Sequence, residues 1–191
     1  FMTFDAWHFP PLLEKARSSR PLLVDALAEF AKATRVYLVV STIFGFIVAV
    51  IDTMVLAVIG VPAAAAWGVL AFVTNYIPNI GFIIGLVPPA LLALLEGGPT
   101  LAITVIVVYV VINFVIQSVI QPKFIGDAVD LSLTLTFLSL VFWAWVIGAL
   151  GAILAIPLTL LVKALLIDAD PTSAWMGTLL SSSDPTKSRK E

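Results

Sequence analysis

Residues 62–95 read PAAAAWGVLAFVTNYIPNIGFIIGLVPPALLALL. The stretch carries no charge, is too long for one membrane crossing, and is interrupted in its middle by Asn75-Tyr76-Ile77-Pro78-Asn79-Ile80-Gly81. Each arm is about 15 residues, or about 22 Å as a helix, which is short of the roughly 30 Å hydrocarbon core of a bilayer. Pro78 leaves backbone carbonyls unpaired, and Gly81 permits an abrupt change of direction. Two short arms around such a tip predict a re-entrant helical hairpin. Backbone of this kind is tolerated at membrane depth only where protein shields it or where it lines a water-filled cavity.

The flanking sequence supports a membrane setting. From Val36 to Leu95 the only formal charge is Asp52, and 97–122 and 131–162 carry none. The chain is 61% hydrophobic and 12% charged, against about 45–50% and about 25% in soluble domains. Its mean hydropathy is +1.11. Val36–Ile59 is a full span of about 36 Å, ended by Gly60 and Pro62. Glu96-Gly97-Gly98-Pro99 is an exposed turn, and Thr100–Gln121 is a second full span of about 33 Å. Residues 122–130 form a loop with Lys123, Asp127 and Asp130. Residues 131–167 are again a broken pair, interrupted around Gly148 and Gly151 and carrying Pro157. Their longer arms leave both a hairpin and two complete spans open. The fold class is all-α, a polytopic integral membrane protein with full spans plus broken or re-entrant hairpins.

Three regions follow: a juxtamembrane segment (1–35), a transmembrane permease domain (36–167) and a polar tail (168–191). In the first, Ser19 is the expected N-cap of a helix with Pro21 in its first turn. Leu22, Leu23, Ala26, Leu27 and Phe30 recur at helical spacing opposite Asp25, Glu29 and Lys32. This predicts an amphipathic helix lying at the membrane surface and running into the first span; a linker packed on a further part of the protein is the alternative. The opening Phe-Met and polar segment show no signal peptide and are compatible with a chain that begins mid-protein. With a net charge of −2 there is no basic face for nucleic acid, and with no cysteine there is no thiolate metal site or cysteine nucleophile. His8 is the only histidine. No nucleophile–base pair, metal cluster or phosphate loop is visible, so no enzyme and no cofactor is expected.

Lys32, Arg35, Lys123, Lys163 and the basic tail all fall on the cytoplasmic side if residues 62–95 enter and leave from outside. The C-terminus is then cytoplasmic. A span followed by a broken hairpin occurs twice, from opposite sides, which outlines an inverted repeat. Secondary transporters place substrate where such interrupted segments meet.

Tyr109, Asn113, Gln117 and Gln121 lie four apart, on one face of the second span. Amides facing lipid are costly, so the stripe reads either as helix–helix glue or as a lined solute pathway. With it we group Asn75, Tyr76, Pro78, Asn79 and Gly81 at the hairpin tip. Ser132, Thr136 and Ser139 form a weaker stripe suited to helix contact. Asp52 is the only acid inside a predicted span and a candidate for ion coupling, although its closeness to the outer end favours simple contact with the interface. Asp127 and Asp130 are further ion-coupling candidates at the cytoplasmic mouth.

These motifs resemble a family. Asn75-Tyr76-Ile77-Pro78-Asn79-Ile80-Gly81 is similar to the N-[FY]-[IV]-P-x-I-G motif of the AI-2E family, the autoinducer-2 exporter-like permeases. Gln121-Pro122-Lys123 with Gly126 resembles its P-[KR]-x-x-G loop. Residues 137–145, then Gly148, Gly151 and Ala155-Ile156-Pro157-Leu158-Thr159, resemble its F-L-S-L-x-F-W-G-W, G-x-x-G and P-L-T signatures, with Ala144 in place of a glycine. Lys163 fits the lysine that follows them. The resemblance covers about residues 36–167 and corresponds to the second half of the family's fold. It implies a bacterial or archaeal inner-membrane permease forming homo-oligomers, pentamers in the exporters it most resembles.

Three functions remain open at this point. The first is export of a small, polar, largely neutral solute such as an autoinducer-2-like signalling molecule, which suits neutral amides. The second is sodium–proton antiport, which the family also includes and which needs a titrating intramembrane carboxylate. The third is a non-transporting membrane scaffold.

Overall fold

The computed structural model describes residues 17–78, 80–125, 129 and 131–170. Among these there is no strand; the chain is a succession of helices. Helix α1, Pro21–Val58, is 38 residues long, about 57 Å. Arg20 is its N-cap, one residue later than the expected Ser19, and Pro21 occupies the first helical position. Proline is suited to that position because its missing N–H would be unpaired there anyway. Helix α1 runs through the amphipathic segment and the first span without a break. A continuous helix cannot lie in the membrane plane for its first third and cross for the rest, so the surface-lying reading is corrected. Its buried face instead packs within the protein: Ala33 and Tyr37 cluster with Leu131, Ile156 and Leu160.

The end of α1 is set by Gly60. At φ +82° it lets Val61 N–H bond the Leu56 carbonyl at 2.9 Å and its own N–H bond that of Ala57 at 3.3 Å. This paired closure is the Schellman arrangement, and Leu56 and Val61 also meet in one apolar cluster. Helix α2, Ala64–Thr74, then returns along α1 for 11 residues. The tip follows, and helix α3, Gly81–Asn113, leads away from it.

Helix α3 contains a non-helical residue, Gly98, at φ 72° and ψ −170°. Ala93 before it and Val105 and Tyr109 after it share one buried cluster with Leu56, so the chain folds back at the Gly98-Pro99 turn. The first arm, Gly81 to that turn, is about 26 Å and α2 about 16 Å; both are shorter than the hydrocarbon core, as the sequence indicated. Beyond Asn113 the helix is wound as a π-helix over Phe114–Ile120 and as α4 over Gln121–Ile125.

Helix α5, Leu133–Ile147, is capped by Ser132, whose hydroxyl accepts from Leu135 N–H at 3.3 Å. Gly148 (φ +76°) breaks it. The short α6, Ala149–Ile153, forms the bend. Helix α7, Ala155–Lys163, and a π-turn, Ala164–Asp168, lead back. Helix α5 has 15 residues, short of the roughly 20 of a crossing. Residues 133–168 form a helical hairpin. Its bend is pinned by Trp143 Nε1–H donating to Thr159 Oγ1 at 3.0 Å.

The molecule is inside-out relative to a soluble domain. Val58, Leu95 and Trp145 are more than 80% exposed, whereas Ser41, Asp52, Asn75, Asn113, Gln121, Ser139 and Thr159 are buried. A wide apolar exterior over an interior that holds these polar side chains places the apolar surface in lipid. The chain is a membrane protein. Among the described residues, the helical stretches Pro21–Val58 and Gly81–Ile125 are long and apolar enough to cross it, the second through its part after the Gly98 turn.

Candidate functional site

The hairpin tip is held from α1. Tyr37 Oη donates to the Tyr76 carbonyl at 2.7 Å. The Tyr76 hydroxyl shares a 2.7 Å hydrogen bond with Thr42, and Asn75 Nδ2 donates to the Ser41 carbonyl at 2.9 Å. Gly45 lies beneath the Asn75 amide: a Cβ there would sit 2.9 Å from Nδ2. The tip thus stands level with the first turns of the predicted span. The reach comes from the tip itself, where Asn75, Tyr76, Ile77, Pro78 and Ile80 are turned rather than helical and add length below α2.

Asn75 meets the amide stripe. Gln117 Nε2–H donates to Asn75 Oδ1 at 3.1 Å and to Asn113 Oδ1 at 2.6 Å, and Asn113 Nδ2 donates to the Tyr109 carbonyl at 2.8 Å. The π-helix aligns this stripe. At 3.6 residues per turn, every fourth residue drifts about 40° round the axis, so three steps would carry Gln121 well away from Tyr109. Residues wound with i→i+5 bonds take more residues per turn and reverse that drift. Gln121 N–H accordingly bonds the Ile116 carbonyl, just before Pro122, which has no N–H to give.

Together these elements enclose an open cleft of about 470 Å³ lined by Tyr37, Ser41, Asn75, Pro78, Phe82, Asn113, Gln117, Ser118, Gln121, Pro122 and four apolar residues including Val129. No charged side chain lines it among the described residues. Among the described residues Gln121 makes no side-chain hydrogen bond, and Gln117 uses only its Nε2, so donors and acceptors remain open to a guest.

Of the expected pathway residues, Asn75, Pro78, Asn113, Gln117 and Gln121 line the cleft. Tyr76 holds the tip through its carbonyl and hydroxyl. Gly81 packs against the Thr74 carbonyl with no room for a side chain. Tyr109 faces away, into a small cavity with Asp52. Asn79, Asp127 and Asp130 lie outside the described residues. Asp52 departs from expectation: it is 0% exposed, not in contact with the membrane interface. α2 and both arms of α3 pack around that part of α1 and enclose it.

The second hairpin was expected to share the site. Its bend instead packs on the opposite side of the tip, where Ile77 and Ile80 meet Leu140, Trp143, Ala152, Ile153 and Ala155. Ser139 Oγ donates to the Leu135 carbonyl at 2.6 Å, and Thr136 lines an apolar groove with Pro78 and Phe137. Sequence reading missed Tyr37, Ser41, Phe82 and Ser118. The first two were findable, since Tyr37, Ser41, Gly45 and Asp52 recur at helical spacing as the polar or small face of α1.

Residues 1–169 match the profile of the AI-2E family transporters. Among curated relatives, YhhT of Escherichia coli (strain K12) is 34% identical over 163 residues, 85% of this chain and 47% of YhhT. The AI-2 transport protein TqsA of the same strain is 39% identical over 127 residues, 66% of this chain and 37% of TqsA. YrrI of Bacillus subtilis (strain 168) is 28% identical over 163 residues, 84% of this chain and 44% of YrrI. The chain therefore spans about half the length, or less, of these relatives. The names of these relatives and of the family are those of transport proteins, not enzymes. The three motifs, the tip they build and the family match agree: this chain belongs to the AI-2E transporter family.

Proposed function

We propose that this chain forms the solute-binding part of a permease that exports a small, polar, neutral molecule, with an autoinducer-2-like polyol as the model substrate. One observation carries the reading: a cleft of about 470 Å³, within the roughly 300–1,000 Å³ usual for small-molecule sites, presents amides with unused donors and acceptors and no charge. Hydroxyl-rich solutes match neutral amides, which both give and accept. An anion would find no cation among the described lining residues. The similarity to TqsA, an AI-2 transport protein, supports the solute class. The working unit is proposed to be a homo-oligomer, a pentamer by family resemblance, in a bacterial or archaeal inner membrane with its C-terminus cytoplasmic.

The test is efflux of autoinducer-2 from proteoliposomes. Asn113→Ala and Gln117→Ala should each slow it by about tenfold, equivalent to about 1.4 kcal/mol. Interhelical hydrogen bonds in membranes average only about 0.6 kcal/mol, so expression and oligomer size should stay normal. Normal efflux in both variants, or failure of both to assemble, would make the amides purely structural.

The orientation has its own test. Pro62 and Glu96 flank the first hairpin and are exposed. Cysteines introduced at each, one at a time, should both react with an impermeant reagent added outside the cell. Reaction from opposite sides would exclude a re-entrant hairpin.

A further inference from the structure

Asp52 has no exposed surface, and neither carboxylate oxygen has a hydrogen-bond partner. The Tyr109 hydroxyl, on a residue 1% exposed, is also unpartnered. Both residues line one small cavity of about 10 Å³, the volume that a single water-sized guest occupies. Asn75, Phe82, Asn113 and Gln117 line this cavity and the cleft alike. The amide layer is thus a shared wall, with solute space on one side and a buried carboxyl on the other.

An ionised carboxylate buried without a partner costs several kcal/mol. α2 contributes Ala71 and Thr74 to the cavity, and the tip contributes Asn75. α3 contributes Phe82, Gly85, Tyr109 and Asn113, and the π-helix contributes Gln117. Tyr109 is the only other titratable group among them, and none is a cation. No described neighbour neutralises Asp52.

We propose that the Asp52–Tyr109 cavity is a proton-binding site that couples solute passage through the neighbouring cleft to the proton gradient. The inference rests on the permease reading of the cleft. On loading, hydronium arriving in the cavity gives its proton to a carboxylate oxygen; an O–H bond forms and water remains. Release is the reverse. The neutral acid offers one donor and acceptors, which the Tyr109 hydroxyl can complement. The ionised form only accepts, and it must draw donors toward itself. The Tyr109 hydroxyl supplies one, and the Asn113 amide in the shared wall, now donating to the Tyr109 carbonyl at 2.8 Å, supplies a second. Turning that amide breaks the 2.6 Å bond from Gln117 and loosens the 3.1 Å bond from Gln117 to the tip. One proton thereby resets the groups that hold solute.

The test uses the protein in proteoliposomes loaded with autoinducer-2, together with infrared difference spectra between acidic and alkaline buffer. Wild type should show the carbonyl band of a protonated carboxylic acid, and acidifying the outside should speed efflux several-fold. Asp52→Asn, of the same shape and permanently neutral, should lack the band and carry solute at one rate with or without the gradient. Asp52→Glu should keep the band at a shifted midpoint; it serves as the readout if Asp52→Asn does not assemble. Gradient-dependent efflux persisting in Asp52→Asn overturns the proposal. So does a wild-type band that is unchanged between the buffers, or efflux that follows sodium rather than pH. No autoinducer-2 efflux in wild type, with the Asp52 band present, overturns the solute reading of the cleft and leaves the proton site standing.

Discussion

Gly81→Val should prevent the permease from assembling. Gly81 opens α3 immediately after the tip, and a Cβ built on it collides with the Thr74 carbonyl oxygen and lies 3.3 Å from the Ile77 Cβ. That carbonyl is not free to move, because it accepts the Ile77 N–H at 2.9 Å, while Gly81 N–H itself bonds the Ile77 carbonyl at 2.9 Å. The tip is a closed ring of backbone bonds with no flexible side chain to give way. Overpacking costs about 1–3 kcal/mol where side chains can adjust; against fixed backbone the upper end or more applies. Opening the ring would also unpair backbone groups at membrane depth, at several kcal/mol each. We expect little folded protein after detergent extraction. Gly60→Asn is the control: Gly60 has positive φ but open space around it, and asparagine tolerates such backbone. Its melting temperature should stay close to wild type. Normal yield and efflux in Gly81→Val would show that the tip is not closed in the membrane.

The same local chemistry explains what could be read in advance. Pro78 and Gly81 announce a tip because each has a backbone property no other residue supplies, and uncharged runs bounded by glycine and proline announce spans. The Tyr109–Gln121 stripe was visible as spacing, but its straightness depends on the π-helix over Phe114–Ile120, which periodicity of 3.6 does not reveal. Asp52 shows where sequence distance misleads. Seven residues from the end of its span, it looked close to water. The Schellman closure at Gly60 turns α2 straight back along α1, and the folded-back α3 covers the remaining side, so the carboxyl ends up enclosed. The role of the second hairpin was hidden for a similar reason. Broken helices at matching places suggest a shared site, yet which face of the tip each one meets is decided by long-range packing of Ile77 and Ile80.

Asn75 joins the tip, α1 and the amide stripe, so reversing the sense of one of its bonds should have a large effect. Its Nδ2 donates to the Ser41 carbonyl at 2.9 Å, and its Oδ1 accepts from Gln117 at 3.1 Å. Asn75→Asp preserves the shape and the acceptor but replaces the donor with an anionic oxygen facing a carbonyl oxygen. No cation lies among the residues that line the cleft or the small cavity, and an uncompensated buried charge costs several kcal/mol. Asn75→Ala loses both bonds but buries no charge, and the Ser41 carbonyl retains its acceptor role within α1. Charge therefore outweighs the missing contacts, and Asn75→Asp should be the more damaging variant in both thermal stability and efflux. Acidic buffer should reverse part of the damage in Asn75→Asp alone, because a protonated carboxyl regains an O–H that can donate to Ser41. Melting curves of both variants in mildly acidic and alkaline buffer decide the matter. If Asn75→Ala proves equally unstable and neither responds to pH, the tip depends on filled volume at this position, and the hydrogen bonds seen between Asn75, Ser41 and Gln117 do not set its placement.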